Sequence, residues 1–208
     1  MQTSLAKFFQ KDSDSVSANV EASKPKETDT LQVDDVQEFV DFFLSKASSP
    51  LIRGNPLKSR RIAVFGERYY WGKDVTFPIN TLPLSFRKWC VTHKYTGFNS
   101  VLVNVYDDKS SNIAWHMDAT ESMQSGNVVS VSFAARREHR EKRLANFEFR
   151  WPEKKDIAKK KIRTVMLEHG TAIRFNAIKH KQKKCEHRVS KTLHPRVNVT
   201  LRRIRKPN

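Results

Sequence analysis

Residues 196–204 read RVNVTLRRI, and this stretch decides the fold class because its side chains alternate between polar and apolar. Alternation with a period of two is typical of a β-strand that has one face in the core. Arg196, Asn198 and Arg202 have the same parity, so the strand presents all three to one side of a sheet. The segment therefore predicts a strand that combines an apolar face with a face of guanidinium and amide groups.

Other short runs before this strand have the same β-type texture. They are RIAVF (61–65), SVLVNVY (100–106), NVVSVSFAA (127–135), NFEFRW (146–151), RTVMLE (163–168) and GTAIRFNA (170–177). Turn-forming residues separate them, among them the pair Asp107-Asp108 and Gly170. Many short strands at close spacing predict an antiparallel sandwich or barrel.

Helical spacing precedes most of the strands. An apolar stripe predicts a helix from Asp34 to about residue 47, and a second helix is expected over Leu84–His93. The stripe consists of Val36, Phe39, Val40 and Phe43. Residues 10–30 contain almost nothing that could form a core, which is typical of a disordered linker. We therefore expect a disordered tail over 1–33 and a mainly β domain with flanking helices (α+β) over 34–208.

The charge of the chain is high and unevenly distributed. The net charge is +17, yet residues 1–49 hold five Lys and nine acids, so residues 50–208 carry +21. A body of this charge indicates a polyanionic partner, nucleic acid before an anionic membrane, although a merely soluble basic protein is the alternative. Only two cysteines occur, and neither a signal peptide nor a membrane span is visible. We expect an intracellular monomer without membrane association.

The segment IAWHMDATE contains a candidate metal site. His116 and Asp118 are two residues apart, so on a strand both would point to the same face, and His187 offers a second imidazole. Two histidines and one carboxylate are the set that suits non-haem Fe(II) with open positions for co-substrate and oxygen. An HxD string alone is weak, because it arises often by chance. The polar face of residues 196–204 strengthens it, since its two guanidinium groups suit the two carboxylates of a dicarboxylic acid.

The order of these motifs resembles the AlkB family of oxidative nucleic-acid dealkylases over about residues 58–205. The sequence has N-x-Y, then HxD, then SVSFAARRE (130–138), then a lone His, then R-x-N-x-T-x-R. The resemblance implies a double-stranded β-helix, or jelly roll, that holds Fe(II) in the mouth of the sandwich. It also implies oxidative decarboxylation of 2-oxoglutarate with O2 to succinate and CO2, coupled to hydroxylation of an N-methyl group that is then lost as formaldehyde.

The resemblance assigns a role to each motif residue. The implied iron ligands are His116, Asp118 and His187. The implied 2-oxoglutarate ligands are Arg202 and Asn104 at the end that chelates iron, and Arg196, Tyr106 and Asn198 at the distal carboxylate. One departure affects specificity, because many members carry an acid two residues after the metal Asp, where this chain has Thr120 and then Glu121.

Substrate contacts are expected from aromatic and basic residues. A flipped base needs a stacking partner, and FGERYYWG (65–72) resembles the family segment that supplies it, which nominates Tyr69 and Trp71 with Phe65 nearby. Ordinary core packing is the alternative for these aromatics. Three basic clusters are candidates for phosphate binding: residues 136–143, which include Arg137, residues 154–163 and residues 179–184.

The N-terminal residues QTSLAKFF fit the sliding-clamp (PCNA) interaction pattern Q-x-x-[LIM]-x-x-aromatic-aromatic. The matching residues are Gln2, Leu5, Phe8 and Phe9. Such a turn inserts apolar anchors into a pocket of the clamp, and a disordered tether lets the domain reach DNA. The hypothesis is therefore a DNA repair dioxygenase for 1-methyladenine or 3-methylcytosine, in the nucleus or at a site of viral DNA replication. The alternatives are an RNA or protein demethylase of the same class, or a non-catalytic nucleic-acid-binding jelly roll.

Overall fold

The structure, a computed structural model, describes residues 21–23, 33–52, 55–67, 79–109, 111–153 and 159–205. Three α-helices lie in this part of the chain: α1 (Val33–Lys46), α2 (Leu84–Thr92) and α3 (Ala177–Gln182). Its strands are β1 (Glu21–Ser23), β2 (Leu51–Ile52), β3 (Asn55–Pro56), β4 (Arg61–Gly66), β5 (Ile79–Asn80), β6 (Ser100–Tyr106), β7 (Ile113–His116), β8 (Met123–Ala134), β9 (Ala145–Pro152), β10 (Lys160–Leu167), β11 (Thr171–Asn176), β12 (Glu186–Val189) and β13 (Arg196–Ile204).

These strands form two sheets that face each other and a small hairpin. The larger sheet has the order β1-β11-β8-β13-β6-β4-β5 and is antiparallel except for the pair β4 and β5. The smaller sheet has the order β10-β9-β12-β7 and is antiparallel throughout. The arrangement confirms the expected jelly roll. None of the described helices is long and apolar enough to cross a membrane.

One core lies between the two longer helices and the outer face of the large sheet. Phe39 and Phe43 of α1 are fully buried, and their rings contact Phe86 of α2 at centroid distances of 5.2 and 5.1 Å. The odd-numbered apolar residues of β13 and β6 pack beneath them. This core gives the large sheet a rigid back, so that its other face can carry polar groups.

A second core lies between the two sheets. Phe147 and Phe149 of β9 meet Phe175 of β11, with centroid distances of 6.3 and 5.8 Å. The apolar packing fills one end of this space, and polar side chains of β6, β8 and β13 replace it at the other. The polar end is where a cavity opens.

Most elements expected from the sequence are present. The helix expected from Asp34 begins at Val33, and the second helix ends at Thr92, one residue earlier than expected. The linker prediction is wrong at Glu21–Ser23, because these residues pair with β11 at the edge of the large sheet. Cys90 and Cys185 are free and buried, and burial raises the pKa of the Cys185 thiol to about 11.

Candidate active site

The small sheet and the loop that follows β7 bring the three expected metal ligands together. The ligand atoms of His116, Asp118 and His187 all lie within 4.8 Å of one another, and no other such group of His, Cys, Asp and Glu occurs among the described residues. His116 and His187 occupy directly opposite positions of β7 and β12. Asp118 lies beyond the end of β7, so a turn of the loop, rather than strand alternation, directs its carboxylate to the histidines.

Hydrogen bonds and burial prepare these groups for a cation. The Nδ1 of His116 lies 2.8 Å from the carbonyl oxygen of Ala114, which can only accept, so Nδ1 carries the proton and Nε2 keeps its lone pair for a metal. Burial lowers the pKa of His187 to about 3, so its imidazole is neutral at physiological pH, as a metal ligand must be.

Asp118 is ionised although its side chain is only 6% exposed. Burial by itself would raise its pKa, but the charge of Arg202 and the hydrogen bond from its Nη2 at 3.0 Å outweigh this effect, and the pKa lies below its usual value. The donor set of two neutral imidazoles and one carboxylate fits Fe(II).

Arg196 marks the far end of the cavity. It is fully buried, its guanidinium carbon lies 3.8 Å from the ring centroid of Tyr106, and its Nη1 donates to Ser132 Oγ at 3.3 Å. Its Nε and Nη2 and the Tyr106 hydroxyl are buried without a hydrogen-bond partner in the described part of the chain. Such groups are costly to bury unpaired, so their arrangement fits the carboxylate of a bound dicarboxylic acid.

Asn104 is oriented by a residue that sequence reasoning missed. Arg60, in the turn before β4, donates from Nε to Asn104 Oδ1 at 2.8 Å and also borders the cavity. Because the oxygen of the amide is engaged, its Nδ2 remains to donate to a ligand. No spacing rule could have found Arg60, since it stands alone within the basic run KSRR.

Asn198 is placed as expected but is already well paired. Its Oδ1 accepts from Ser130 and Ser132 at 3.1 and 3.2 Å, and its Nδ2 donates to Thr200 at 3.0 Å. Only one amide hydrogen is left for a carboxylate. Its contribution in the structure is therefore to fix the polar layer beside Arg196.

These groups surround a cavity of about 300 Å³ between the two sheets. The metal ligands come from the small sheet and its loop, whereas the groups suited to 2-oxoglutarate come from β6 and β13 of the large sheet. Apolar side chains complete the wall, namely Leu102, Ile113, Phe147, Phe175 and Val189. A cavity of this size, mostly apolar and with few convergent polar groups, is typical of a small-molecule site.

Other expected substrate residues are not brought to this cavity. Phe65 is fully buried on the opposite face of the large sheet, where its ring lies 5.3 Å from that of Phe43, so its nomination is wrong and core packing is its role. Arg137 follows β8 at the end away from the metal ligands, about 20 Å beyond the position paired with Arg202. Tyr69, Trp71 and the clamp-binding residues 2–9 lie outside the described residues.

The loop after the metal Asp is tied to α3. Lys181 donates from Nζ to Glu121 Oε1 at 2.6 Å and to Thr120 Oγ1 at 3.4 Å. The Glu121 side chain is 71% exposed and does not line the cavity. Neither residue therefore replaces the acid that many AlkB members carry near the metal.

Comparisons with known proteins agree with this geometry. Residues 66–202 match the model of the 2OG-Fe(II) oxygenase superfamily. The chain is 35% identical over 115 residues to alpha-ketoglutarate-dependent dioxygenase alkB homolog 3 of Mus musculus, a match that covers 51% of this chain and 37% of that protein. The chain thus spans little more than a third of that relative.

A solved structure supports the fold independently of sequence. A prolyl-4-hydroxylase of Pseudomonas putida superposes with a TM-score of 0.50 at 9% identity and covers 88% of this chain and 92% of its own. The family model and the His-Asp-His group together imply Fe(II), 2-oxoglutarate and O2 as cofactor and co-substrates. The chain belongs to the 2OG-Fe(II) oxygenase superfamily, and within it is an AlkB-like oxygenase.

Proposed function

We propose that this oxygenase removes N-alkyl groups from DNA bases of the 1-methyladenine and 3-methylcytosine type. The observation that carries the proposal is the assembled His116, Asp118 and His187 group in a chain whose residues 50–208 hold a net charge of +21. The partial match to a protein named alkB homolog 3 supports the same substrate class. A strongly basic body suits a substrate with a phosphate backbone.

The side chains divide the work of the reaction. Bound iron, with 2-oxoglutarate and O2, supplies the oxidant for a C–H bond of the alkyl group. Arg196 with Tyr106 binds the distal carboxylate of the co-substrate, and Arg202 holds Asp118 ionised and in place. The apolar wall keeps water away from the reacting atoms, and no protein acid or base of special pKa is needed.

The N-terminal pattern extends the proposal to a location. Gln2, Leu5, Phe8 and Phe9 would bind a sliding clamp and bring the enzyme to replicating DNA in the nucleus, or to viral DNA if the source is viral. A pull-down with the clamp tests this part alone. Loss of binding in the double variant F8A/F9A is the expected result, and binding that survives it would contradict the pattern.

Turnover tests the catalytic part. Formaldehyde and succinate should form from an oligonucleotide that carries 1-methyladenine or 3-methylcytosine, given Fe(II) and 2-oxoglutarate, and His116→Ala should form neither. Equal background in both proteins would remove the proposal. Preference for methylated RNA over matched DNA would favour an RNA demethylase instead, and DNA binding without iron binding would indicate a non-catalytic module.

A further inference from the structure

The outer face of the small sheet carries a connected group of side chains directly behind the metal ligands. Trp115 precedes His116 on β7, and Glu186 and Arg188 flank His187 on β12. Neighbouring residues of a strand point to opposite faces, so these three side chains lie outside while the imidazoles lie inside. Each histidine ligand is therefore backed by a residue of this outer group.

The outer group is held by stacking and ion pairs. The guanidinium carbons of Arg150 and Arg188 lie 4.3 and 4.6 Å from the ring centroid of Trp115. Arg150 forms a bidentate pair with Glu186 at 2.7 and 3.1 Å, and Arg188 pairs with Glu148. We call these five residues the outer-face network.

The network links every strand of the small sheet. Trp115 comes from β7, Arg188 and Glu186 from β12, and Arg150 and Glu148 from β9, while Lys160 of β10 donates to Glu186 at 3.1 Å. The side chains of Arg150 and Glu186 are only 26% and 25% exposed, and that of Glu148 is 13% exposed. Partial burial makes such stacked and paired groups stronger than fully exposed ion pairs.

The strand that carries His116 needs this additional support. β7 is a four-residue strand at the edge of its sheet, and it pairs with β12 at only two positions with an irregularity between them. The hydrogen bond from His116 to Ala114 orients the ring but remains within β7. The backbone pairing alone therefore fixes the distance between the two imidazoles poorly.

We propose that the outer-face network is a positioning device for the metal site, with Trp115 as its central positioning residue. It holds β7 against β12, so that the imidazoles of His116 and His187 keep their centroid distance of 4.2 Å. Groups behind a first ligand shell commonly change metal affinity by about 10- to 100-fold when they are removed. The inference depends on the metal site and not on the nucleic-acid substrate.

Metal binding by the full chain tests the proposal without catalysis. Trp115→Leu should weaken anaerobic Co(II) binding by about 10-fold or more and change the visible spectrum of the bound Co(II). Trp115→Phe keeps a stackable ring and should stay within about threefold of the wild type. Met166→Ala on β10 is the matched control, because Met166 is 56% exposed on the same sheet and lies outside the network.

Thermal unfolding of the metal-free variants separates positioning from stability. The expected result is a loss of affinity and a changed Co(II) spectrum in Trp115→Leu when the spectrum of Met166→Ala is unchanged. Arg188→Gln, which removes one stacked charge behind His187, should show the same spectral change if Trp115→Leu does not fold. A wild-type Co(II) spectrum and affinity in either network variant would overturn the proposal.

Discussion

Arg196 is the residue whose surroundings depart most from those of an ordinary core side chain. Burial lowers the pKa of its guanidinium, and only the neighbouring Tyr106 offsets the effect. Two of its nitrogens lack a hydrogen-bond partner in the described chain. A buried charge of this kind destabilises the protein unless a ligand pairs with it. The residue therefore serves binding at the expense of folding.

Arg196→Met should separate these two effects. The KM for 2-oxoglutarate should rise by at least about 10-fold, since hydrogen bonds to charged groups contribute roughly 1.5–3 kcal/mol. The metal-free variant should unfold at a higher temperature than the wild type, because an apolar chain replaces an unpaired charge. Added 2-oxoglutarate should stabilise the wild type and not the variant in thermal unfolding. An unchanged KM would show that the distal carboxylate binds elsewhere.

His169 should make the stability of the protein depend on pH. Its Nδ1 accepts a hydrogen bond from the backbone N–H of Ala134 at 3.2 Å, and burial followed by the charge of Arg140 lowers its pKa to about 4. The unfolded chain takes up a proton near pH 6.5 that the folded chain refuses, so stability falls as the pH decreases from about 6.5 to 4.

Denaturant unfolding of the metal-free protein at several pH values checks this. His169→Asn should reduce the proton uptake on unfolding by up to about one proton in that window. An identical pH dependence in the wild type and the variant would mean that His169 is not buried in its neutral form. The histidines on the cavity side, His180 and His187, remain as the other contributors in the same direction.

At the scale of elements, α1 supports the large sheet from behind. Phe43→Ala should lower the free energy of unfolding by about 3–5 kcal/mol, because a fully buried ring leaves a cavity between α1, α2 and β4. Phe42→Ala is the matched control, since Phe42 is only partly buried, and it should cost clearly less. Equal losses in denaturant unfolding would contradict the packing described for this helix.

Strand parity explains how much of the site could be predicted from sequence. Arg196, Asn198 and Arg202 share a face of β13, and Asn104 and Tyr106 share a face of β6, as alternation requires. The same reasoning applied to His116 and Asp118 gave the right group for the wrong reason. Asp118 lies in a loop, and contacts with Arg202 rather than local sequence set its direction.

Phe65 shows where alternation fails. Both faces of β4 are buried, one against α1 and the other against the small sheet, so an apolar run cannot reveal which side meets the cavity. Arg60 was missed for the converse reason, because a single arginine in a turn carries no periodic signal. Non-local packing decides both cases.

At the scale of the whole molecule, the position of each basic cluster matters more than the net charge. Lys181 contacts the loop that follows Asp118, so residues 179–184 lie at the metal end of the sandwich. Residues 136–143 follow β8 at the opposite end. Phosphates that flank a base in the cavity would meet the first cluster and not the second.

Matched charge reversals test this difference. Lys183→Glu with Lys184→Glu should lower kcat/KM on a methylated oligonucleotide by about 10-fold and flatten its salt dependence by about two counterions. Arg136→Glu with Arg137→Glu makes the same change in net charge and should have a much smaller effect. Equal losses in both pairs would indicate general electrostatic attraction without a defined path for the strand.

The division of the cavity between two sheets has a consequence for motion. Iron belongs to the small sheet, and the far carboxylate of 2-oxoglutarate belongs to the large one, so the co-substrate acts as a removable crosslink across the sandwich. Decarboxylation shortens that crosslink by one carbon, and succinate can no longer span the same gap. Each turnover should therefore loosen the seam between β12 and β13, so that product release and the opening of the sandwich are one event.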